Sequence, residues 1–269
     1  MKKQFKLGVI GSSFFANAVL RGVVLSDFIR EKKIIVSDDS EEELDKLNYL
    51  GVNTTLNHKF VAQNSEFLVL AVKPKKFGEI AKQLEGVNPE KIISLMDLPK
   101  KSVKNALGVG LIKVARCVMN MPCTIGSGVI GLDMLDFNKS IDDCDFISGV
   151  LNTLGTVVSL EENKLSAVSG LAANGPAYAF MFIDALVNAG VAQGLTKNEA
   201  KIFAVQTLLG SAEMVQREEN TIEELTVQVC NMGGASVEAV KVLEDTSFAK
   251  SVIAAVEACT VKAKERENQ

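Results

Sequence analysis

Phe5-Lys-Leu-Gly-Val-Ile-Gly-Ser-Ser-Phe-Phe-Ala16 is the stretch on which the fold of this 269-residue chain turns. Residues 5–10 are a short apolar run, Gly11 closes it, and apolar residues at helical spacing follow from 14 to about 25. A strand, a tight turn and a helix form the opening unit of a parallel α/β sheet. The corner also has the register of a dinucleotide fingerprint, Gly-x-Gly-x-x-Gly/Ala. Here Gly11-Ser12-Ser13-Phe14-Phe15-Ala16 keeps the first glycine and the last small residue. Ser13 replaces the middle glycine, where a side chain crowds a pyrophosphate although its hydroxyl can donate to it. A bare strand–helix turn is the alternative reading.

Downstream the same alternation continues. Apolar runs at 34–36, 67–72, 91–95, 112–118, 129–131 and 156–159 predict strands, and helices are expected at 41–47, 77–84, 103–106 and from about 140. That pattern predicts an α/β Rossmann-type domain, doubly wound and mainly parallel, with ligands at the carboxyl ends of its strands. The second strand ends in Ser37-Asp38-Asp39, with no basic residue until Lys46. An acid here accepts from a ribose 2′-OH and repels a 2′-phosphate, so NADH is favoured over NADPH by about tenfold or more. Alternatively these residues only cap the next helix, which Ser40 can do without them.

After residue 161 the strand signal stops. Helices are expected at 161–172, 176–192, 197–217, 221–229, 235–243 and 248–267, with Thr196-Lys-Asn-Glu199 as a capping box. The expected organisation is a dinucleotide-binding Rossmann-like domain over 1–160 and an all-helical domain over 161–269. Pro176 suits the first position of a helix. From 177 to 191 only Asp184 and Asn188 are strongly polar, so that helix should be buried against others, and it is short for a bilayer span. A small helical half with this much apolar surface is a candidate for dimerisation.

A hydrophobic fraction of 47% with 23% charged residues predicts a globular protein. The net charge of −4 argues against nucleic acid as a partner, and the spread of Lys and Arg argues against a membrane patch. Residues 1–9 lack the apolar core of a signal peptide, and the five cysteines contain no Cys-x-x-Cys pair, so a cytoplasmic chain with reduced thiols is expected. The one histidine, His58, rules out a multi-histidine metal site, and no metal is expected.

Leu70-Ala-Val-Lys-Pro74, Asn174-Gly-Pro-Ala-Tyr178, Gly194-Leu195, Gly233-Gly234 and Ala255-Val-Glu-Ala258 together resemble pyrroline-5-carboxylate reductases over the full length. The departures gather at the expected site. Gly11-Ser-Ser-Phe-Phe15 stands for Gly-Ala-Gly-Asn-Met, Met96-Asp97 for Ala-Gly, and Val118-Met-Asn-Met-Pro122 for Met-Pro-Asn-Thr-Pro. Asn231-Met-Gly-Gly-Ala-Ser236 stands for Ser-Pro-Gly-Gly-Thr-Thr or its Gly-Gly-Ala-Thr variant.

The resemblance implies reduction of 1-pyrroline-5-carboxylate to proline with NADH or NADPH, by a homodimer or an assembly of dimers. It places Asn231, Gly233, Gly234, Ala235 and Ser236 at the substrate carboxylate, with Ser236 helping to protonate the ring nitrogen. Glu162, Glu219 and Asn174 would line the substrate cavity. Gly11, Ser12, Ser13, Phe14, Phe15, Ser37, Asp38, Asp39, His58, Ala71, Val72, Lys73, Pro74, Met96, Asp97 and Asn120 would lie along the cofactor. Ser236 as a helix N-cap, and the glutamates as exposed helix ends, are the plainer readings. Two other functions stay open. One is a weakened or inactive relative with a regulatory role, which Ser13 or Met96-Asp97 would cause by blocking the cofactor. The other is a dehydrogenase of another small imino or hydroxy acid, which would need a catalytic lysine in the helical domain; Lys164, Lys197 and Lys201 are present, but none sits in a motif of that class.

Overall fold

The computed structural model describes residues 3–108, 111–217, 219–230 and 234–267. Its contacts divide the chain into two compact units, Met1–Asn174 with Cys259–Gln269, and Gly175–Ala258.

In the first unit the chain runs β1 (Phe5–Ile10), α1 (Phe14–Leu25), β2 (Ile34–Ser37), α2 (Glu41–Asp45), β3 (Asn53–Thr55), α3 (His58–Asn64) and β4 (Ser65–Leu70). It continues α4 (Pro74–Gln83), β5 (Lys91–Ser94), α5 (Lys100–Leu107), β6 (Lys113–Met119), β7 (Gly128–Asp133), α6 (Ile141–Asn152), β8 (Gly155–Ser159) and α7 (Leu165–Val168). The strands form one sheet in the order β3-β2-β1-β4-β5-β6-β7-β8. Each neighbouring pair is parallel except β6 and β7.

Alternation along the strands builds two cores, one on each face. Leu7, Val9, Phe67, Val69, Ile93, Ala115 and Cys117 pack with Val19, Leu20, Ile147 and Val150 of α1 and α6. Their neighbours Ile10, Leu68, Leu70, Ile92 and Val114 pack with Val61, Phe77, Ile80 and Val103 of α3, α4 and α5. This is the doubly wound arrangement that the apolar runs predict.

Two expectations need correction. β3 and α3 have no counterpart among the predicted elements, because β3 is a short edge strand of polar residues with Asn53 and Thr54 exposed. The strand expected at 67–72 runs from Ser65 to Leu70, since Pro74 starts α4 and the chain must leave the sheet before it.

The second unit holds α8 (Gly175–Ala192), α9 (Lys197–Arg217), α10 (Ile222–Val229), α11 (Ala235–Asp245) and most of α12 (Phe248–Glu267). Thr196 and Glu199 form the predicted capping box, with Glu199 N–H donating to Thr196 Oγ1 at 3.3 Å and Thr196 N–H to Glu199 Oε2 at 2.8 Å. α8 and α9 pack closely: a Cβ on Gly190 would meet Ala200 Cβ at 2.9 Å. The apolar helix α8 is not the buried core helix its composition predicts. Among its residues only Val187 is buried, while Phe180 and Met181 are 55% and 74% exposed. By length and composition alone Glu162–Ala192 could cross a membrane, although Asp184 and Asn188, bonded to each other at 3.0 Å, interrupt the apolar face.

Candidate functional site

Gly11 leaves β1 with φ +95°, and a Cβ there would meet Ala71 O at 2.8 Å and Val72 Cγ1 at 2.8 Å. Glycine is required both for that backbone angle and for the close approach to the end of β4. β1 and β4 are adjacent at the point where strand order reverses, so this corner is the crevice in which doubly wound sheets bind nucleotides. Ser13 N-caps α1, its Oγ accepting from Ala16 N–H at 3.4 Å. The first amides of α1, at Phe14 and Phe15, therefore face the crevice without an intrahelical carbonyl, an arrangement suited to an anion.

The end of β2 is more elaborate than its sequence shows. Asp38 turns inward: Oδ2 accepts from Ser12 N–H at 2.8 Å and Ser12 Oγ at 2.7 Å, and Oδ1 from Ser40 N–H at 3.1 Å. Burial acts to raise its pKa, but these hydrogen bonds and the charge of Lys76 outweigh it and hold the carboxyl below its ordinary value. Asp39 turns outward and is half exposed. His58 is 2% exposed, with Nδ1 2.8 Å from Ser37 Oγ and Nε2 3.1 Å from Asp39 Oδ1. Both ring nitrogens are thus engaged at the end of β2. Lys76 Nζ lies 3.5 Å from Asp39 Oδ2. Lys46, the first basic residue after the two acids, instead pairs with Glu42 at 3.3 Å and Glu43 at 2.6 Å.

Ala71, Val72, Lys73 and Pro74 follow β4, Met96 and Asp97 follow β5, and Asn120 follows β6, so all reach the same edge of the sheet. Met96 is 2% exposed and packs in the core under α4 and α5 rather than projecting from the edge. Asn120 is buried, and its Oδ1 accepts from Val129 N–H at 3.0 Å, which fixes the turn between β6 and β7. A cavity of about 580 Å³ lies at this edge, lined by Pro74, Lys75, Asp97, Leu98 and Arg266.

Behind that cavity is a buried charge network that the sequence reading missed. Arg116, 1% exposed, lies 3.3 Å from Glu162 Oε1, 2.6 Å from Glu267 Oε1 and 3.7 Å from Asp97 Oδ1. Glu162 Oε1 also accepts from Lys100 N–H at 2.7 Å, and the Lys100 ammonium pairs with Asp133. Glu162, expected at the substrate cavity, is therefore already engaged by Arg116 and Lys100. An arginine within the apolar run Val114-Ala115-Arg116-Cys117-Val118 was the available signal, since a cation inside a buried strand must be paired. Asn174, exposed, donates its side-chain amide to Ser169 O at 2.8 Å.

The remaining substrate-side residues lie in the second unit. Asn231 and Gly233 fall outside the described residues. Gly234 is the N-cap of α11 and offers no side chain to cap it, so Ala235 and Ser236 begin the helix with amides that have no intrahelical carbonyl, of the kind a carboxylate can take. Ser236 is not the N-cap; it sits in the first turn, and its Oγ donates to Val229 O at 2.9 Å. Glu219 lies exposed between α9 and α10.

Residues 162–266 match a family profile described as pyrroline-5-carboxylate reductase dimerisation. Residues 6–97 match one described as NADP oxidoreductase coenzyme F420-dependent. The chain is 31% identical over 269 aligned residues to pyrroline-5-carboxylate reductase 2 of Macaca fascicularis, covering 96% of this chain and 83% of that protein. Its fold is similar to a pyrroline-5-carboxylate reductase from Coxiella burnetii, with TM-score 0.87, 27% identity and 98% of both chains covered. It is equally similar to the Plasmodium falciparum enzyme with NADP bound, with TM-score 0.87, 25% identity and coverage of 99% of this chain and 100% of that one. A sheet with its crevice at the β1–β4 reversal, a helical unit matching a dimerisation profile and a full-length relative above 30% identity lead to one assignment: the chain belongs to the pyrroline-5-carboxylate reductase family of NAD(P)-dependent oxidoreductases.

Proposed function

We propose that this chain reduces 1-pyrroline-5-carboxylate to proline as a cytoplasmic homodimer, with NADH as the favoured cofactor. The carrying observation is the Gly11 corner, which keeps its close approach to β4 and its open helix start despite the changed fingerprint. The placement of Ser13 and Met96, two of the departures from the family motifs, supports an open crevice, while Asp97 stands on the cavity wall. Ser13 spends its side chain on capping α1, and Met96 is turned into the core.

A bound reduced nicotinamide supplies the hydride; the protein aligns the rings and provides for the proton. Gly11 and the first amides of α1 would hold the pyrophosphate, and Asp39 would accept from the ribose 2′-OH. Ala235 and Ser236 hold the substrate carboxylate through their N–H groups. Ser236 Oγ, by turning from Val229 O to the ring nitrogen, would relay a proton from solvent to it, taking one up as it passes one on. The two carboxylates at the end of β2 disfavour a 2′-phosphate, which supports NADH. The cytoplasmic location is supported by five free thiols, of which Cys117 and Cys123 are buried and have their pKa raised by burial.

The test is oxidation of NADH or NADPH by the native chain with 1-pyrroline-5-carboxylate, alongside Ser236→Ala. The native chain should consume reduced cofactor and form proline. The variant should lose about 10- to 100-fold in kcat/KM, the equivalent of one charge-assisted hydrogen bond, with Tm little changed. Nucleotide binding without turnover on this imine would overturn the substrate reading, and an unchanged kcat/KM would remove Ser236 from it.

A further inference from the structure

We propose that Lys76, through its ion pair with Asp39, sets how strongly this chain discriminates between the two nicotinamide dinucleotides. The inference rests on the cofactor reading above and adds a residue to it. Lys76 lies on the first turn of α4, which follows β4, whereas Asp39 follows β2. The strand order β2-β1-β4 puts these two ends on either side of the Gly11 turn, so a lysine 37 positions away reaches the acid.

The two acids at this corner are not equivalent. Both oxygens of Asp38 are occupied by Ser12 and Ser40, so it braces the loop. Asp39 is the carboxylate presented outward, and buried His58 fixes one of its oxygens. The other oxygen faces Lys76, whose side chain is 59% exposed on a long flexible stem. Such an exposed pair contributes little by itself, so Lys76 can leave it at small cost.

A ribose 2′-OH can share Asp39 with Lys76 undisturbed. A 2′-phosphate would be repelled by Asp39 alone, but Lys76 offsets that carboxylate and can turn to donate to the phosphate oxygens. Lys76 therefore limits the penalty on NADPH, and the native preference for NADH is narrower than the two acids alone would impose. Lys75 does not duplicate this role, because it lines the cavity with Asp97 and Arg266.

The experiment measures dissociation constants of NADH and NADPH at one ionic strength for the full chain, Lys76→Ala, Lys76→Arg and Asp39→Asn. The NADPH-to-NADH ratio should rise at least tenfold in Lys76→Ala, stay within about threefold of native in Lys76→Arg, and fall at least threefold in Asp39→Asn. Added salt should weaken NADPH binding more in the native chain than in Lys76→Ala. A purely structural role for Lys76 would move both affinities together and leave the ratio constant, which would overturn the inference and leave the proposed function standing. Binding of neither nucleotide to the native chain would overturn both.

Discussion

Asp38 is a carboxylate whose surroundings decide its work. Its lowered pKa means that the folded state favours the ionised form. The stability it contributes is complete above the ordinary carboxylate value of about 3.9 and is lost as pH falls through its lower folded value. Asp38→Asn should therefore cost about 1–3 kcal/mol at pH 7, the scale of hydrogen bonds to a charged acceptor. The gap between native and variant should begin to narrow below about pH 4, where the carboxyl of the unfolded chain protonates, and close as pH falls through the lower folded value. Urea unfolding at pH 7 and at pH 3 checks this; a gap of the same size at both would show that the charge of Asp38 is not what holds Ser12. The same inward turn leaves Asp39 as the acid presented outward at the end of β2.

Among the elements, the last turn of α12 works as a clamp on β6. Glu267 bonds Arg116 through Oε1 and accepts from Ser166 Oγ through Oε2 at 2.7 Å. Arg116 sits within a strand whose other buried members are apolar, so removing a partner leaves a cation that water cannot reach. Glu267→Ala should destabilise the first unit by about 3 kcal/mol, the lower part of the range for breaking a buried pair, because Glu162 stays in place. Glu267→Gln retains an acceptor and should lose less. Thermal or urea unfolding of both variants is the measurement, and equal stabilities for Ala and native would mean that the clamp carries no load. Asp97, on the cavity wall, is tied into the same network by Arg116 and by Arg266 at 3.9 Å.

For the whole molecule, the exposed apolar surface of the second unit has to be explained. Phe180 and Met181 of α8, and Ile202, Phe203 and Leu209 of α9, are exposed in the single chain. The family's dimerisation profile spans both helices, and a second copy is the partner that its description names. We expect an obligate homodimer that buries more than about 2,000 Å². Sedimentation should find no monomer at micromolar concentration, and Tm should rise with protein concentration. A stable monomer would refute it.

Much of the fold was legible in the chain. The apolar runs of β1, β4, β5 and β6, the helical spacing of 14–25 and 197–217, and the box at Thr196 and Glu199 are local patterns, and strands buried on both faces, helix faces and helix starts follow from them directly. Gly11 was legible as a candidate site residue because its role depends on a turn, whereas the Leu70-Ala-Val-Lys-Pro74 run and the start of α11 were candidates through the family resemblance alone. Other features were decided only in three dimensions. β3 carries no apolar run because an edge strand of polar residues has no face to bury. The directions of Asp38 and Asp39, the ion pair of Lys76 and the partners of Arg116 depend on strand order and on a helix end returning from far along the chain. Composition marked α8 as apolar but could not say what covers it, because burial belongs to the assembly and periodicity to the segment.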